Sequence, residues 1–386
     1  WDTIIWTTAP AEHAVIENPT VAIEVTDGSL AVLERNPWLA KARDLDVDLG
    51  DTIVAKSTES MVLHQGLATV LYAGTLGLDI HVDTWSWLAN NLKHRLLPAW
   101  LDTTFGPNRS IVIFLHWTST HEPQDLTFQH TYEAIRNLRI HYSGRIRPYP
   151  SQSELWQDRL KVGDIRALDE IASRAPAEFS HRPKTCFGLG ECTLKDQPKT
   201  VHKRTHSSCG KHTSTQRNKA KIYTIGPQWF HQEYVPSLID FGELRVIIIT
   251  EPSATGIRGR SGRVKYILRT RLDPESELLH ALPVQPSDFQ VHGTSLDREQ
   301  LESICLYFYE NLRSRPDALD HYESLEVSGR VDVGVIEDQY GEKHFFVNEI
   351  TRGYGAHLFS HVLLPEPKTE ICEACAVAFK EYVTTG

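Results

Sequence analysis

The sequence contains no apolar run that approaches the ~20 residues of a membrane-spanning helix. Its first residues show no basic segment followed by an apolar stretch, so we expect no signal peptide. Only six of the 386 residues are cysteine, which is too few for a disulfide scaffold. We therefore expect a reducing, cytoplasmic compartment and no membrane partner.

Two common nucleotide-binding patterns are also missing. No Gly-x-Gly-x-x-Gly follows an early strand, and no Gly-x-x-x-x-Gly-Lys-Ser/Thr loop is present, which excludes a dinucleotide fingerprint and a P-loop. A basic excess is missing as well, because 40 Lys and Arg against 50 Asp and Glu give a net charge of -10. This balance argues against a nucleic-acid partner.

The chain is 40% hydrophobic and 23% charged, close to the average for globular proteins, and its length predicts two or three domains. Residues 20–25 and 110–116 have the composition of strands, and residues 62–75 and 128–141 have helical apolar spacing. Strands that alternate with helices predict an open α/β domain over residues 1–145.

Beyond a boundary near residues 147–151, the apolar spacing predicts one helix through Leu155 and Leu168. Further along, the pattern predicts strands, a helix and a β-hairpin. They are the strands 244–249 and 264–269, the helix 297–312 and the hairpin 330–336 with 344–350, which turns at 338–341.

This last hairpin carries the most informative charges. Asp332 lies on one strand and Glu349 near the end of the other, so both carboxylates can reach the same end of the hairpin. Convergent carboxylates are costly without a cation, and Mg²⁺ prefers such oxygen ligands together with substrate phosphates. Arg330 lies two residues before Asp332 and therefore on the same face, where it could hold a transferring phosphoryl group. Solvated surface charges are the alternative.

Two other segments suit a phosphate and a nucleobase. Residues 195–221 carry eight Lys or Arg and one acid, and Lys203 there precedes a loop of small residues whose backbone N–H groups could surround phosphate oxygens. The short apolar strand beginning at Trp229 ends in Gln232-Glu233-Tyr234-Val235, which could present backbone groups to an adenine edge. Glu243 follows within Gly-Glu-Leu-Arg, as an acid for ribose hydroxyls.

The order of these motifs resembles the ATP-grasp superfamily over about residues 199–355. The resemblance implies an ATP-grasp fold, of class α/β or α+β, with a preceding open α/β domain. It implies three domains: a first α/β domain over 1–145, a small subdomain with a phosphate lid over 146–228, and a large subdomain with the metal site over 229–386.

The resemblance also implies residue roles. Lys203 is similar to the family's second nucleotide lysine, and Arg330 to the arginine over the transferring phosphate. The magnesium carboxylates would be Asp332 and Glu349. The remaining nucleotide-binding positions would be the phosphate loop (Ser207, Ser208 and Gly210), the adenine hinge (Gln232, Glu233, Tyr234 and Val235) and the ribose-side Glu243.

Two positions depart from the family's pattern. The metal motif reads Glu349-Ile-Thr351 where the family has Asn in the last position, so Asn348 or a water would supply the neutral oxygen. The earlier Asp-Lys-Leu motif reads Asp158-Arg159-Leu160, so Arg159 or the neighbouring Lys161 would contact phosphate.

Cysteine and histidine are concentrated in residues 186–212, which leaves two interpretations open. A structural zinc site could use Cys186, Cys192, His202, His206, Cys209 and His212. The same segment could be a solvated lid. The Cys372-x-x-Cys375 pair falls in an apparent last helix and is interpreted as two core thiols.

The resemblance implies an ATP- and Mg²⁺-dependent ligase that forms an amide-type bond from a small carboxylate through an acyl phosphate. Its partners would be small-molecule carboxylate and amine substrates, and a homodimer is compatible with the sequence. The alternative is a non-catalytic, regulatory nucleotide-binding protein with the same fold, for which Thr351 and Arg159 are the support.

Overall fold

The computed structural model describes residues 3–8, 20–24, 53–56, 60–115, 126–142, 144–188, 192–204, 213–217, 229–272, 279–290, 296–353 and 365–385. The chain divides into two compact units. The first comprises Trp1–Gln152, Glu326–Ser328 and Gly353–Gly386. The second comprises Ser153–Leu325 and Gly329–Arg352.

The first unit contains a parallel sheet of the expected open α/β type. Its order is β5-β1-β6-β7, and every pairing is parallel. The strands are β1 (Thr3–Thr8), β5 (Asp79–Thr84), β6 (Ile111–Leu115) and β7 (Ile146–Tyr149). The Ile-Val-Ile-Phe-Leu sequence of β6 is buried throughout, as in a strand covered on both faces. The predicted strand at 110–116 is therefore confirmed.

A separate antiparallel sheet of the first unit has the order β2-β4-β3. Its strands are β2 (Thr20–Glu24), β3 (Ile53–Lys56) and β4 (Ser60–His64). The helix predicted from residue 62 begins only after β4. The described helices of this unit are α1 (Gln65–Thr75), α2 (Trp85–Lys93), α3 (Leu97–Phe105), α4 (Leu126–His141) and a last helix, Pro365–Thr385. Cys372 and Cys375 are buried thiols of this last helix, as expected.

The second unit begins with two helices where the apolar spacing predicts one. They are α5 (Gln152–Leu160) and α6 (Val162–Arg174), separated by Lys161. Lys161 has φ +52°, in the left-handed region that interrupts a helix and that few non-glycine residues adopt. The prediction of a continuous helix is thus wrong, because apolar periodicity carries no signal for a single reversed residue.

A small antiparallel sheet follows, with the order β10-β9-β11-β8. Its strands are β8 (Thr185–Cys186), β9 (Lys199–Arg204), β10 (Thr213–Arg217) and β11 (Trp229–Glu233). A short 3₁₀ turn, Ala177–Phe179, precedes it, and the helix α7 (Ser237–Asp240) comes after it.

A larger sheet with the order β14-β13-β12-β15-β16 forms the rest of the second unit. Its strands are β12 (Leu244–Ile257), β13 (Arg260–Leu272), β14 (Leu279–Pro283), β15 (Ser328–Glu337) and β16 (Lys343–Arg352). The helices are α8 (Pro286–Gln290), α9 (Arg298–Arg313) and α10 (Ala318–His321), with a 3₁₀ turn at Glu323–Glu326. The predicted strands, helix and hairpin of this region are confirmed.

The core of the second unit lies on one face of the larger sheet. Val331, Val333 and Val335 of β15 pack there with the buried face of α9, which includes Phe308 and Leu312. Side chains alternate between the faces of a strand, so the intervening positions of β15 project from the other face. That other face carries Arg330 and Asp332.

The fold is of mixed α and β class, as expected. The predicted domain bounds of 1–145, 146–228 and 229–386 stay a prediction. In the helices that the structure describes, no segment is long and apolar enough to span a membrane.

Candidate active site

The hairpin of β15 and β16 brings the two predicted magnesium carboxylates together. Asp332 is the direct cross-strand partner of Glu349, and Arg330 is the partner of Thr351. Directly opposite residues of an antiparallel pair lie on the same face of the sheet. The face opposite the core therefore carries all four of these side chains.

A β-bulge in this hairpin brings Asn348 to the same face. The register shifts between Asp332 and Val333, so Glu349 pairs with Asp332 while Val347 pairs with Val333. Asn348 is the extra residue. The buried core positions of β16 accordingly pass from Val347 to Ile350, with a gap of three residues where strict alternation requires two.

Asn348 uses this position to contact Glu243, with its Nδ2 donating to the Glu243 Oε1 at 2.5 Å. Gly242, with φ +90°, orients the chain before Glu243, since a Cβ there would lie 1.8 Å from the carbonyl oxygen of Thr270. The Glu243 N–H then donates to the Thr270 Oγ1 at 2.9 Å. The structure thus places Glu243 beside the predicted metal carboxylates, and its ribose role stays a prediction.

Arg330 and Asp332 form a buried bidentate ion pair. The Arg330 Nε and Nη2 donate to the two carboxylate oxygens of Asp332 at 2.7 and 2.8 Å. The Arg330 Nη2 also lies 3.3 Å from the Thr351 Oγ1. Burial lowers the pKa of Arg330, but the carboxylates of Asp332, Glu349 and Glu243 outweigh it and raise that pKa. The guanidinium is therefore held charged in a fixed orientation.

Lys161 reaches this face from the break between α5 and α6. Its Nζ donates to the Glu349 Oε1 at 2.7 Å. Burial raises the pKa of Glu349, but Lys161, Lys203 and Arg330 outweigh it and lower the pKa to about 2. The left-handed backbone of Lys161 therefore coincides with a contact between the α5–α6 junction and the hairpin, and strained residues of this kind cluster at functional sites.

Lys203 comes from the small sheet. Its Nζ donates to the Gln232 Oε1 at 2.7 Å, and the Gln232 Nε2 donates to the Thr185 Oγ1 at 2.9 Å. Burial lowers the pKa of Lys203, while Glu349 and Glu243 act in the opposite direction. The predicted nucleotide lysine and the predicted metal carboxylates thus lie close enough to influence one another electrostatically.

Three like charges converge at this point. Burial raises the pKa of Glu243, and the carboxylates of Asp332 and Glu349 raise it further, against Arg245 and the Asn348 hydrogen bond. Arg330 and Lys161 already offset part of the mutual repulsion of these carboxylates. Carboxylate and amide oxygens are the ligands that Mg²⁺ prefers. Asp332, Glu349 and the Asn348 amide oxygen therefore fit a magnesium site, with Glu243 as a further acid.

Two arginines beside these acids have nitrogens that suit an anion. The Nε of Arg245 and the Nη2 of Arg182 are buried and have no hydrogen-bond partner among the described residues. The side chain of Arg182 is 4% exposed and is held by Asp169, at 2.5 Å, and by the carbonyl oxygen of Val347. A buried donor without an acceptor is costly, so these nitrogens fit the oxygens of a bound phosphate.

Sequence reasoning assigned no role to Arg182 or Arg245 and treated Lys161 only as a substitute for Arg159. Arg245 lies inside the Gly-Glu-Leu-Arg motif, which was the available signal for it. Arg182 stands outside every motif. Arg159 lies in α5, and its side chain is outside the described part of the structure.

The structure describes only some of the other residues of the predicted nucleotide site. Ser207, Ser208 and Gly210 lie outside the described residues. In the predicted hinge, Val235 is buried, and the ring of Tyr234 lies 3.7 Å from the Lys199 Nζ. The hinge and phosphate-loop roles stay predictions.

A comparison with protein-family models finds no match, and a comparison with curated proteins finds none either. Among solved structures, the chain is similar to D-alanine–D-alanine ligase from Bacillus anthracis, with 10% identity, 86% of this chain and 97% of that chain covered, and a TM-score of 0.41. It is similar to biotin carboxylase from Campylobacter jejuni, with 8% identity, 98% and 71% covered, and a TM-score of 0.45.

A third similar structure is the ATP-grasp ligase PsnB complexed with a minimal precursor, with 11% identity, 69% and 78% covered, and a TM-score of 0.33. The name of PsnB contains the superfamily that the motifs resemble. At such identities and TM-scores these similarities carry no argument about the activity or the substrate of this chain.

Proposed function

We propose that this protein is an ATP- and Mg²⁺-dependent ligase that joins a small carboxylate to an amine through an acyl phosphate. One observation carries the proposal: a partly buried cluster of side chains of both signs around Asp332 and Glu349, in which Arg330 and Asp332 are buried. Its cations are Lys161, Lys203, Arg245 and Arg330, and its acids are Asp332, Glu349 and Glu243.

Such a cluster suits phosphoryl transfer, which needs positioning and charge neutralisation more than it needs a reactive side chain. In the proposed reaction, a substrate carboxylate oxygen bonds to the γ-phosphorus of ATP, and the bond from that phosphorus to the bridging oxygen breaks, releasing ADP. The amine nitrogen then bonds to the acyl carbon, inorganic phosphate leaves, and the amine gives up a proton. No side-chain nucleophile is required.

Each group of residues has a defined part in this scheme. Arg330, oriented by Asp332, would stabilise the transferring phosphoryl group, and Lys203 would bind the phosphates as a point charge. Asp332, Glu349 and Asn348 would hold Mg²⁺, which neutralises phosphate charge when bound. Arg159 and the loop residues Ser207, Ser208 and Gly210 would surround the phosphates, and residues 232–235 would bind adenine.

The decisive experiment is a panel of amino acids and small carboxylates, each offered with ATP and Mg²⁺ and with a mixture of amines. We expect ADP release with one carboxylate class, and a product mass equal to carboxylate plus amine minus water. Asp332→Asn should abolish this release, while Glu337→Gln, a change in an exposed acid of the same strand, should leave it unchanged. Production of AMP and pyrophosphate would contradict the acyl-phosphate route and indicate adenylation.

A second candidate, a non-catalytic nucleotide-binding protein, is favoured by one observation. Both predicted metal carboxylates already have cationic partners in the protein, Arg330 for Asp332 and Lys161 for Glu349. A magnesium ion would have to share these carboxylates. ATP binding measured by calorimetry, without ADP release for any carboxylate and with no effect of Mg²⁺, would support this candidate over the ligase.

A further inference from the structure

The small sheet aligns three potential metal ligands in one row. His231 of β11 is the direct partner of Cys186 on β8 and of His202 on β9. Directly opposite residues share a face of the sheet, so the three side chains project to the same side. All three are buried, with Cys186 6%, His202 7% and His231 1% exposed.

Cys192, which follows β8 in the sequence, lies beside this row. Its Sγ lies 3.3 Å from the His231 Nε2, and it accepts a hydrogen bond from the Leu194 N–H at 3.3 Å. The ligand atoms of Cys186, Cys192 and His231 all lie within 4.8 Å of one another.

The geometry points to a structural zinc site held by Cys186, Cys192, His231 and His202. Zinc–ligand bonds of about 2.3 Å to sulfur and about 2.0 Å to nitrogen place neighbouring ligand atoms of a tetrahedral site roughly 3.5 Å apart. The 3.3 Å between Cys192 and His231 is close to this spacing. Thiolate and imidazole ligands together favour zinc over the hard cations.

His202 is the remaining ligand because structural zinc sites are closed by four protein groups. Its ring centroid lies 5.4 Å from that of His231, and its Nε2 contacts the Thr200 Oγ1 at 3.2 Å. Rotation of the ring toward His231 would complete the set.

Simple packing explains these residues less well. The apolar cluster on this side, among the described residues, consists only of Cys186, Cys192 and Leu194, which is little burial for a four-stranded sheet. A hydrogen bond between the Cys192 thiol and His231 would account for their 3.3 Å contact but not for the presence of Cys186 in the same group.

The site would stabilise the sheet that carries Lys203. His202 and Lys203 are consecutive on β9, and His231 and Gln232 are consecutive on β11, so the zinc ligands and the Lys203–Gln232 pair lie on opposite faces. A metal that joins β8, β9 and β11 therefore limits the movement of Lys203 without touching a nucleotide.

This ligand set differs from the Cys and His set that their spacing in the sequence suggested, because it includes His231. His231 lies 19 residues beyond the nearest residue of that set, so no local motif connects it with Cys186 and Cys192. His206, Cys209 and His212 lie outside the described residues.

The test measures metal, not turnover. The full chain, purified without chelator and then dialysed against Zn²⁺, should hold about one zinc per chain by mass spectrometry of the metal. Replacement by Co²⁺ should produce the visible absorption and thiolate charge-transfer bands of a tetrahedral Cys₂His₂ site. Cys192→Ser and His231→Gln should weaken zinc binding by at least about tenfold.

Cys375→Ser is the matched control, because it changes a buried thiol of the last helix and should leave the zinc content unchanged. Far-UV circular dichroism checks that each variant folds. Wild-type protein without zinc after reconstitution, or with a Cys186–Cys192 disulfide, overturns the proposal even if a variant fails to fold. Zinc binding at full affinity in His202→Gln overturns the four-ligand site.

Discussion

The buried ion pair between Arg330 and Asp332 makes Asp332→Asn a test of structure as well as of chemistry. The two side chains are 9% and 4% exposed, and two hydrogen bonds of 2.7 and 2.8 Å join them. An asparagine is similar in size but removes the negative charge and one of the two acceptor oxygens. The Arg330 guanidinium would then remain buried with only part of its partner set.

The size of the effect follows from burial. Removing one member of a buried ion pair costs about 3–5 kcal/mol, because the other charge stays desolvated. Arg330 keeps Thr351 at 3.3 Å and the fields of Glu349 and Glu243. We therefore expect the lower end, about 3 kcal/mol of unfolding free energy.

A double-mutant cycle separates this stability effect from catalysis. Asp332→Asn, Arg330→Met and the double variant would be compared by urea unfolding at pH 7, with Glu337→Gln as the exposed control. We expect the double variant to be about as stable as either single variant, which corresponds to a coupling of about 3 kcal/mol. ADP release should be lost in all three. If the loss of unfolding free energy in the double variant equals the sum of the losses in the two single variants, the two residues are not coupled and the reasoning is refuted.

Three further outcomes are expected. Because folding lowers the pKa of Glu349 to about 2, the stabilisation by Lys161 is present above about pH 4.5 and is lost as the pH falls toward 2. The stability difference between wild type and Lys161→Met should shrink over that window, and a constant difference would contradict the pairing. Lys203→Met should weaken ATP binding about 10–100-fold by calorimetry, whereas Lys184→Met, at an exposed lysine before β8, should not. Hydroxylamine should trap a hydroxamate from the correct carboxylate, and Arg330→Ala should depress its formation more than it weakens ATP binding; equal effects would remove Arg330 from the transfer step.

Strands and helices with a strong local pattern could be predicted from the sequence. The apolar run of β6 indicates a buried strand, and the alternation in β15 and β16 indicates a hairpin in which Asp332 and Glu349 reach the same end. Asp297 caps α9 by accepting from the Gln300 N–H at 2.8 Å, as a helix start near residue 297 requires. These features depend on neighbours along the chain, so the sequence contains their cause.

The bulge and the helix break could not be predicted in this way. Strict alternation places Asn348 and Glu349 on opposite faces, and only the register shift in the β15–β16 pair brings both to one face. The break at Lys161 interrupts a spacing that otherwise suits a single helix. The bulge belongs to the pairing of two strands and has no signal in either strand alone, and Lys161 contacts Glu349, which lies 188 residues away in the sequence.

The charges of the candidate site show the same division. Residue types and their order along the chain identify Lys203, Arg330, Asp332 and Glu349, because each motif is short and its chemistry is local. Tertiary structure decides that Lys161 neutralises Glu349, that Glu243 meets Asn348, and that His231 joins Cys186 and Cys192. The physical reason is that hydrogen bonds and ion pairs depend on distances of a few ångströms, and the separation of residues along the chain does not determine such distances until strands pair and helices pack.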